Sequence, residues 1–115
     1  MRIVVSPQAG RDVTDILRTS KAGFGAEAMT RYRRLIQWAF DDLAADPSRI
    51  GTRSLSEELP EIRLYHIRHS RRRDAVTTRV ASPRHVVAFT VKDESVEILR
   101  VLHDTMDFQR HLGGA

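Results

Sequence analysis

The sequence contains no cysteine, so no disulfide can brace the fold and no thiolate can serve as nucleophile or metal ligand. That absence suits a reducing compartment, and a cytoplasmic location is expected. No stretch approaches the roughly 20 consecutive apolar residues of a membrane-spanning helix, and Ile3-Val4-Val5 is too short an apolar run for a secretion signal. No membrane association is expected. No glycine-rich loop follows a strand: Gly23 and Gly25 fall between two helical patterns, which argues against a nucleotide-phosphate cradle. Ser70 and its neighbouring histidines lack a glycine-flanked elbow, so they make no hydrolase triad. The five histidines have no acids or cysteines at ligand spacing; His66 and His69, three apart on an expected strand, should point to opposite faces. No metal and no cofactor are expected. Lysine is scarce as well: among 19 basic residues only Lys21 and Lys92 are lysines.

What remains is a chain of 115 residues with 41% apolar and 30% charged composition, enough for one domain, residues 1–115, around one core. The net charge is +4, and it is unevenly placed. Between Arg63 and Arg84 stand seven arginines (63, 68, 71, 72, 73, 79, 84) against one acid, Asp74. That segment carries +6, so the rest of the chain sums to −2. A local field of one sign favours an anionic partner, either nucleic acid or an acidic protein surface.

Apolar periodicity gives the order of elements. Arg2-Ile3-Val4-Val5 is a short β-branched run. Ser6-Pro7 reads as an N-cap and a first helical residue, followed by a stripe of Ala9, Val13, Ile16 and Leu17 that should end near Lys21 to Gly25. A second stripe of Ala28, Tyr32, Leu35, Ile36, Ala39, Phe40 and Leu43 predicts a helix from Glu27 to Ala45, stopped by Asp46-Pro47. Met29 and Trp38 fall off that stripe. Asp46 to Pro60 has turn chemistry and reads as a loop, with Ile62 to His69 as a strand after it. Residues 70–84 give no clear period; Val76 to Val80 either extend a hairpin or form an ordered excursion. Val86 to Val91 and Val96 to Leu102 form a hairpin across the polar Lys92-Asp93-Glu94-Ser95, apolar on both faces and so covered on both. Arg100 interrupts the second of these strands, as an edge charge or as part of a site. By strand parity it and His103 face opposite ways unless a bulge intervenes. Met106 to Leu112 should make a last helical turn, and Gly113-Gly114-Ala115 should fray. Helices early and strands late predict an α+β fold, with an N-terminal strand and an antiparallel helical hairpin on one face of a small, mostly antiparallel sheet.

This layout, with Ser6-Pro7 opening a helix, an arginine-rich strand, Ser82-Pro83-Arg84-His85, and the closing Ile98-Leu99-Arg100-Val101-Leu102-His103 with Met106-Asp107, resembles the ParE toxins of the RelE/ParE superfamily of type II toxin–antitoxin modules. The resemblance implies a ParD-like antitoxin that lays an amphipathic helix and an extended stretch into a groove of the toxin. Val13, Leu17, Trp38 and Tyr65 are the expected groove-lining positions, with Arg63 among the arginines that would pair the antitoxin's acids. It also implies DNA gyrase as the target, which Arg68, Arg71, Arg72, Arg73, Arg84, Arg100 and His103 are expected to contact, with direct nucleic-acid contact secondary. The related RelE branch cleaves mRNA on the ribosome and needs an acid and a base near the substrate. Arginine stays protonated and serves poorly as a base, and no tyrosine follows the last strand. No residue is therefore assigned a catalytic role, and inhibition of gyrase is expected in preference to RNA cleavage.

Overall fold

The computed structural model describes residues 1–113 apart from Val76. The expectations for Val76 and for Gly114-Ala115 lie outside the described residues. The elements are β1 (Arg2–Val5), α1 (Pro7–Phe24), α2 (Ala26–Ala45), β2 (Thr52–Ser54), β3 (Arg63–His66), a 3-10 segment (Ile67–Arg73), β4 (His85–Lys92), β5 (Ser95–His103) and α3 (Phe108–Leu112). The five strands form one sheet in the order β1-β5-β4-β3-β2. Its interior pairings are antiparallel, while β1 runs parallel to β5 at one edge. The fold is the α+β arrangement expected.

Local chemistry explains the helical hairpin. Ser6 Oγ accepts from Ala9 N at 3.0 Å, a cap that contributes about 1 kcal/mol, and Pro7 takes the first helical position, where no N–H is needed. One residue, Gly25, separates the helices at φ 94°, ψ 173°, a backbone conformation that residues with a Cβ rarely adopt. The apolar stripes then face the sheet. Leu35, Ile36, Ala39, Phe40 and Leu43 of α2 and Ala9 and Leu17 of α1 pack on Tyr65, Val87, Phe89, Val96, Ile98 and Val101. The opposite face of the sheet has a smaller cluster, Leu64, Val86 and Ala88, covered by Leu55 from the loop and by Phe108 and Leu112 of α3. The central hairpin is thus apolar on both faces because both are covered.

The β4–β5 turn is tighter than the sequence suggested: Lys92 pairs with Ser95, leaving only Asp93 and Glu94 between them, both at positive φ. That is the backbone a two-residue hairpin requires to match strand twist. Along the same pair the register shifts between Ala88 and Phe89, so that Phe89 faces Ile98 while Ala88 faces Arg100. The extra residue, Leu99, reverses the parity of β5. Val101, and not Arg100, consequently follows Val96 and Ile98 into the helix-facing core.

Two sequence expectations change here. β3 ends at His66, three residues short of the expected His69, because Ile67–Arg73 winds into a 3-10 helix capped by His66 Nδ1, which accepts from Arg68 N at 3.1 Å. His66 and His69 are therefore not related by strand parity. The loop after Pro47 contains β2, whose Thr52–Ser54 pairs with Arg63–Tyr65. After the 3-10 segment Asp74 ties the chain to α2 and to Thr78, receiving Arg34 Nε at 3.2 Å and Thr78 Oγ1 at 2.6 Å.

Candidate functional site

Two hollows dominate the surface. The first is a groove of about 580 Å³ whose walls are the second half of α1, the first half of α2 and residues 79–84. Ile16, Phe24, Ala28 and Val80 make it apolar; Phe24 is 82% exposed, so its ring meets solvent for lack of a partner. Arg31, Arg79 and Arg84 lie along its lining. At one end, Tyr32, His85 and His103 come together from α2, β4 and β5. The His85↔His103 pairing of the strands sets the two rings edge to face at 5.3 Å.

Arg84 N donates to Tyr32 Oη at 3.1 Å, and Tyr32 Oη lies 2.5 Å from His85 Nδ1. Burial, followed by the neighbouring His103, pushes the His85 imidazole down to about 4, so it is neutral near pH 7. Burial pushes the Tyr32 hydroxyl up to about 12. The contact thus joins a neutral hydroxyl to a neutral imidazole. Beyond His103, Asp104 joins Arg84 Nη2 at 3.1 Å and His66 Nε2 at 3.1 Å. The His66 hydrogen bond, with Arg84 behind it, holds the Asp104 carboxyl below the usual carboxylate range. Burial keeps His66 itself below the usual imidazole range despite that carboxylate. An acid and a base suited to proton transfer near neutrality would titrate near neutrality. These groups have moved away from it in both directions.

The second hollow, of about 680 Å³, is polar. The 3-10 segment supplies Arg68, His69, Ser70, Arg71, Arg72 and Arg73 to its lining, and Asp42 of α2 with Arg49 and Ile50 completes it. Asp42 is nearly buried and receives two guanidinium groups, Arg49 at 2.9 Å and Arg73 at 3.4 Å. Arg49 also lies over the Tyr65 ring, 5.7 Å from its centroid. Arg71 Nη1 donates to Ala81 O at 2.8 Å. Burial, then Arg68 among nearby positive groups, keeps His69 below the usual imidazole range. Gly51 has φ 103° and passes so close to His69 that a Cβ would stand 2.7 Å from the ring.

The residues singled out from the sequence divide between these places. Arg68, Arg71, Arg72 and Arg73 come together in the basic hollow, while Arg84 and His103 line the apolar groove. Arg100 is at neither. β1 stops at Val5 opposite Ile98, so the β5 edge beyond has no strand to pair with, and α1 fills the gap. Ser6 N donates to Ile98 O, Ser6 Oγ to Leu99 O, and Val101 N to Asp12 Oδ2. Arg100 binds Asp12 through Nε at 2.8 Å and Nη2 at 3.0 Å, a two-pronged pair that joins α1 to the sheet edge.

Val13, Leu17, Trp38 and Tyr65, expected to line an antitoxin groove, and Arg63, expected to pair the antitoxin's acids, are not in the lining of the apolar hollow. Tyr65 is 0% exposed and its hydroxyl pairs with Ser70 Oγ at 2.8 Å, so it offers no surface to a partner. Leu17 is in the core and Val13 packs against it. Trp38 is half-buried beneath the Arg34 guanidinium, 5.5 Å from its ring. Arg63 donates to Pro47 O and Ser48 Oγ. Tyr32 was read only as a stripe residue and His85 only within the Ser82-Pro83-Arg84-His85 run that precedes a strand. Their meeting rests on a tertiary contact across 53 positions that no local pattern signals.

Among the described residues no helix is long and apolar enough to cross a membrane. No curated protein matches the chain in sequence. Among solved structures, one described as the chromosomal ParDE TA system from P. aeruginosa aligns with a TM-score of 0.65 at 18% identity, covering 90% of this chain and 95% of that one; at that identity the likeness is one of fold. Residues 3–108 match the family described as ParE toxin of type II toxin-antitoxin system, parDE. The chain belongs to the ParE toxin family of type II toxin–antitoxin systems.

Proposed function

We propose that this chain is a toxin that binds DNA gyrase and holds it on cleaved DNA, and that a ParD-like antitoxin silences it in the cytoplasm. The observation that carries the reading is the apolar groove with a titratable end shifted away from neutrality. It suits recognition of a protein segment better than proton transfer. An amphipathic helix from the antitoxin would place its apolar side chains against Phe24, Ile16 and Val80 and its acids against Arg31, Arg79 and Arg84. Arg84 and His103, at the polar end, are the proposed contacts to gyrase, so that one occupant of the groove excludes the other.

The test is a supercoiling assay with purified gyrase and toxin. The expected result is loss of supercoiling with accumulation of cleaved DNA, reversed by the cognate antitoxin. Unchanged supercoiling at saturating toxin overturns the gyrase reading.

A further inference from the structure

The basic hollow is not accounted for by either of those partners. Its lining carries five arginines against one carboxylate, Asp42, a local charge of +4 that equals the net charge of the whole chain. The arginines fall into two sets. Arg49 and Arg73 are held in place by Asp42 and Arg71 by Ala81 O. Arg68 and Arg72 are exposed, and neither has a carboxylate partner among the described residues. Cations held in place beside cations without a carboxylate partner are what a ligand with several negative groups needs.

We propose that this hollow binds the phosphodiester backbone of a nucleic acid, with Arg68 and Arg72 making the phosphate contacts and Asp42 orienting Arg49 and Arg73 behind them. Two observations favour a phosphate chain over an acidic peptide. The first is the lining: Ile50 is its one large apolar side chain and stands 94% exposed, so a peptide would find no apolar seat for anchor residues. The second is extent. A neighbouring hollow of about 360 Å³ shares Arg68 and His69 with it and adds Arg53 beside one carboxylate, Asp104, so the guanidinium groups run on from Arg68 to Arg53 and do not end at a single anion seat. Backbone phosphates repeat along such a run, and their recognition needs charge without base readout. The depressed His69 accords with the field of this cluster.

The inference does not rest on the gyrase reading, and its test contains no gyrase, so the two fail separately. The intact chain is titrated against a fluorescent DNA duplex of about 20 base pairs and against a single-stranded RNA of similar length, from about 50 mM salt upward. Binding to either supports the proposal, and the tighter names the source of the backbone. Arg68→Ala/Arg72→Ala should weaken binding at least about tenfold at low salt and reduce the slope of log affinity against log salt by about 2. Both side chains are exposed, so the fold should persist. Arg11→Ala/Arg18→Ala removes the same charge from α1, outside the hollow, and should leave that slope nearly unchanged. Absence of binding at low salt overturns the proposal. Equal losses in the two double variants would trace the binding to net charge alone and also overturn it. So would displacement of the nucleic acid by polyglutamate at equal charge concentration, which would mark the hollow as a seat for acidic peptides.

Discussion

The apolar groove and the basic hollow lie beside the same helix, ten residues apart from Tyr32 to Asp42, or about 15 Å by helical rise. They treat charge oppositely. At the polar end of the groove two groups are held neutral: burial takes His85 down to about 4 and Tyr32 up to about 12. In the hollow, guanidinium groups remain charged and one carboxylate organises two of them. The difference lies in what each stretch of α2 faces. Near its start the helix meets α1 and the apolar Val80. Near its end it meets the 3-10 segment, whose short repeat crowds four arginines into about two turns. The proposed seat for a protein segment and the proposed seat for a polyanion thus lie on two stretches of one helix.

The largest effect is expected where the groove is held to the sheet. Asp12→Ala removes the partner of Arg100 and of the Val101 amide together, and should lower unfolding free energy by about 3 kcal/mol in a urea titration. A loss within about 0.5 kcal/mol would mean that α1 is docked by its apolar stripe alone. Next is Phe24→Asp, which should weaken the antitoxin by about 2 kcal/mol, roughly 30-fold, with stability changed by less than about 0.5 kcal/mol because Phe24 is exposed. An unaltered affinity would place the antitoxin elsewhere and dissolve the contrast drawn above.

A smaller effect concerns pH. His85 titrates at about 4 in the folded chain against 6.5 for the free side chain, so between those values the unfolded state binds more protons. The contribution of neutral His85 is complete above about 6.5 and is lost as pH falls towards 4. His85→Gln should flatten that part of the stability curve by about 1 kcal/mol, a figure reduced for the partial exposure of the ring. The smallest effect separates the two hollows directly. Burial comes first at both His69 and His85, but Arg68, Arg49 and Arg72 add to it only at His69. Salt screens those arginines. Raising it from about 0.05 to 0.5 M should move the His69 midpoint upward by a few tenths of a unit in a proton NMR titration, and the His85 midpoint less.

The fold was legible from the sequence to different depths. Ser6-Pro7, the stripe from Ala28 to Leu43 and the hairpin around Asp93-Glu94 are local signals, because capping, helical period and turn residues act within a few positions. The end of β3 was not legible: Ile67 to His69 has strand composition, and it bends into a 3-10 turn because Ile67 and Ser70 are both buried there. The bulge at Leu99 was not legible either: the sequence reading allowed for one between Arg100 and His103, where the pairing is regular. It exists because the register that seats Val96 and Ile98 in the core would otherwise have put Arg100 there in place of Val101.

Composition and periodicity alone determined that this chain is a helical hairpin on a small sheet with its positive charge gathered between Arg63 and Arg84, since each of those properties sums over neighbours in the chain. Only the tertiary structure decided that Arg100 is held by Asp12, that Tyr65 lies inside, and that Tyr32, His85 and His103 share the end of a groove. Those outcomes depend on which distant backbone edge is left unpaired and which helix comes to cover it, and separation along a sequence carries no record of that.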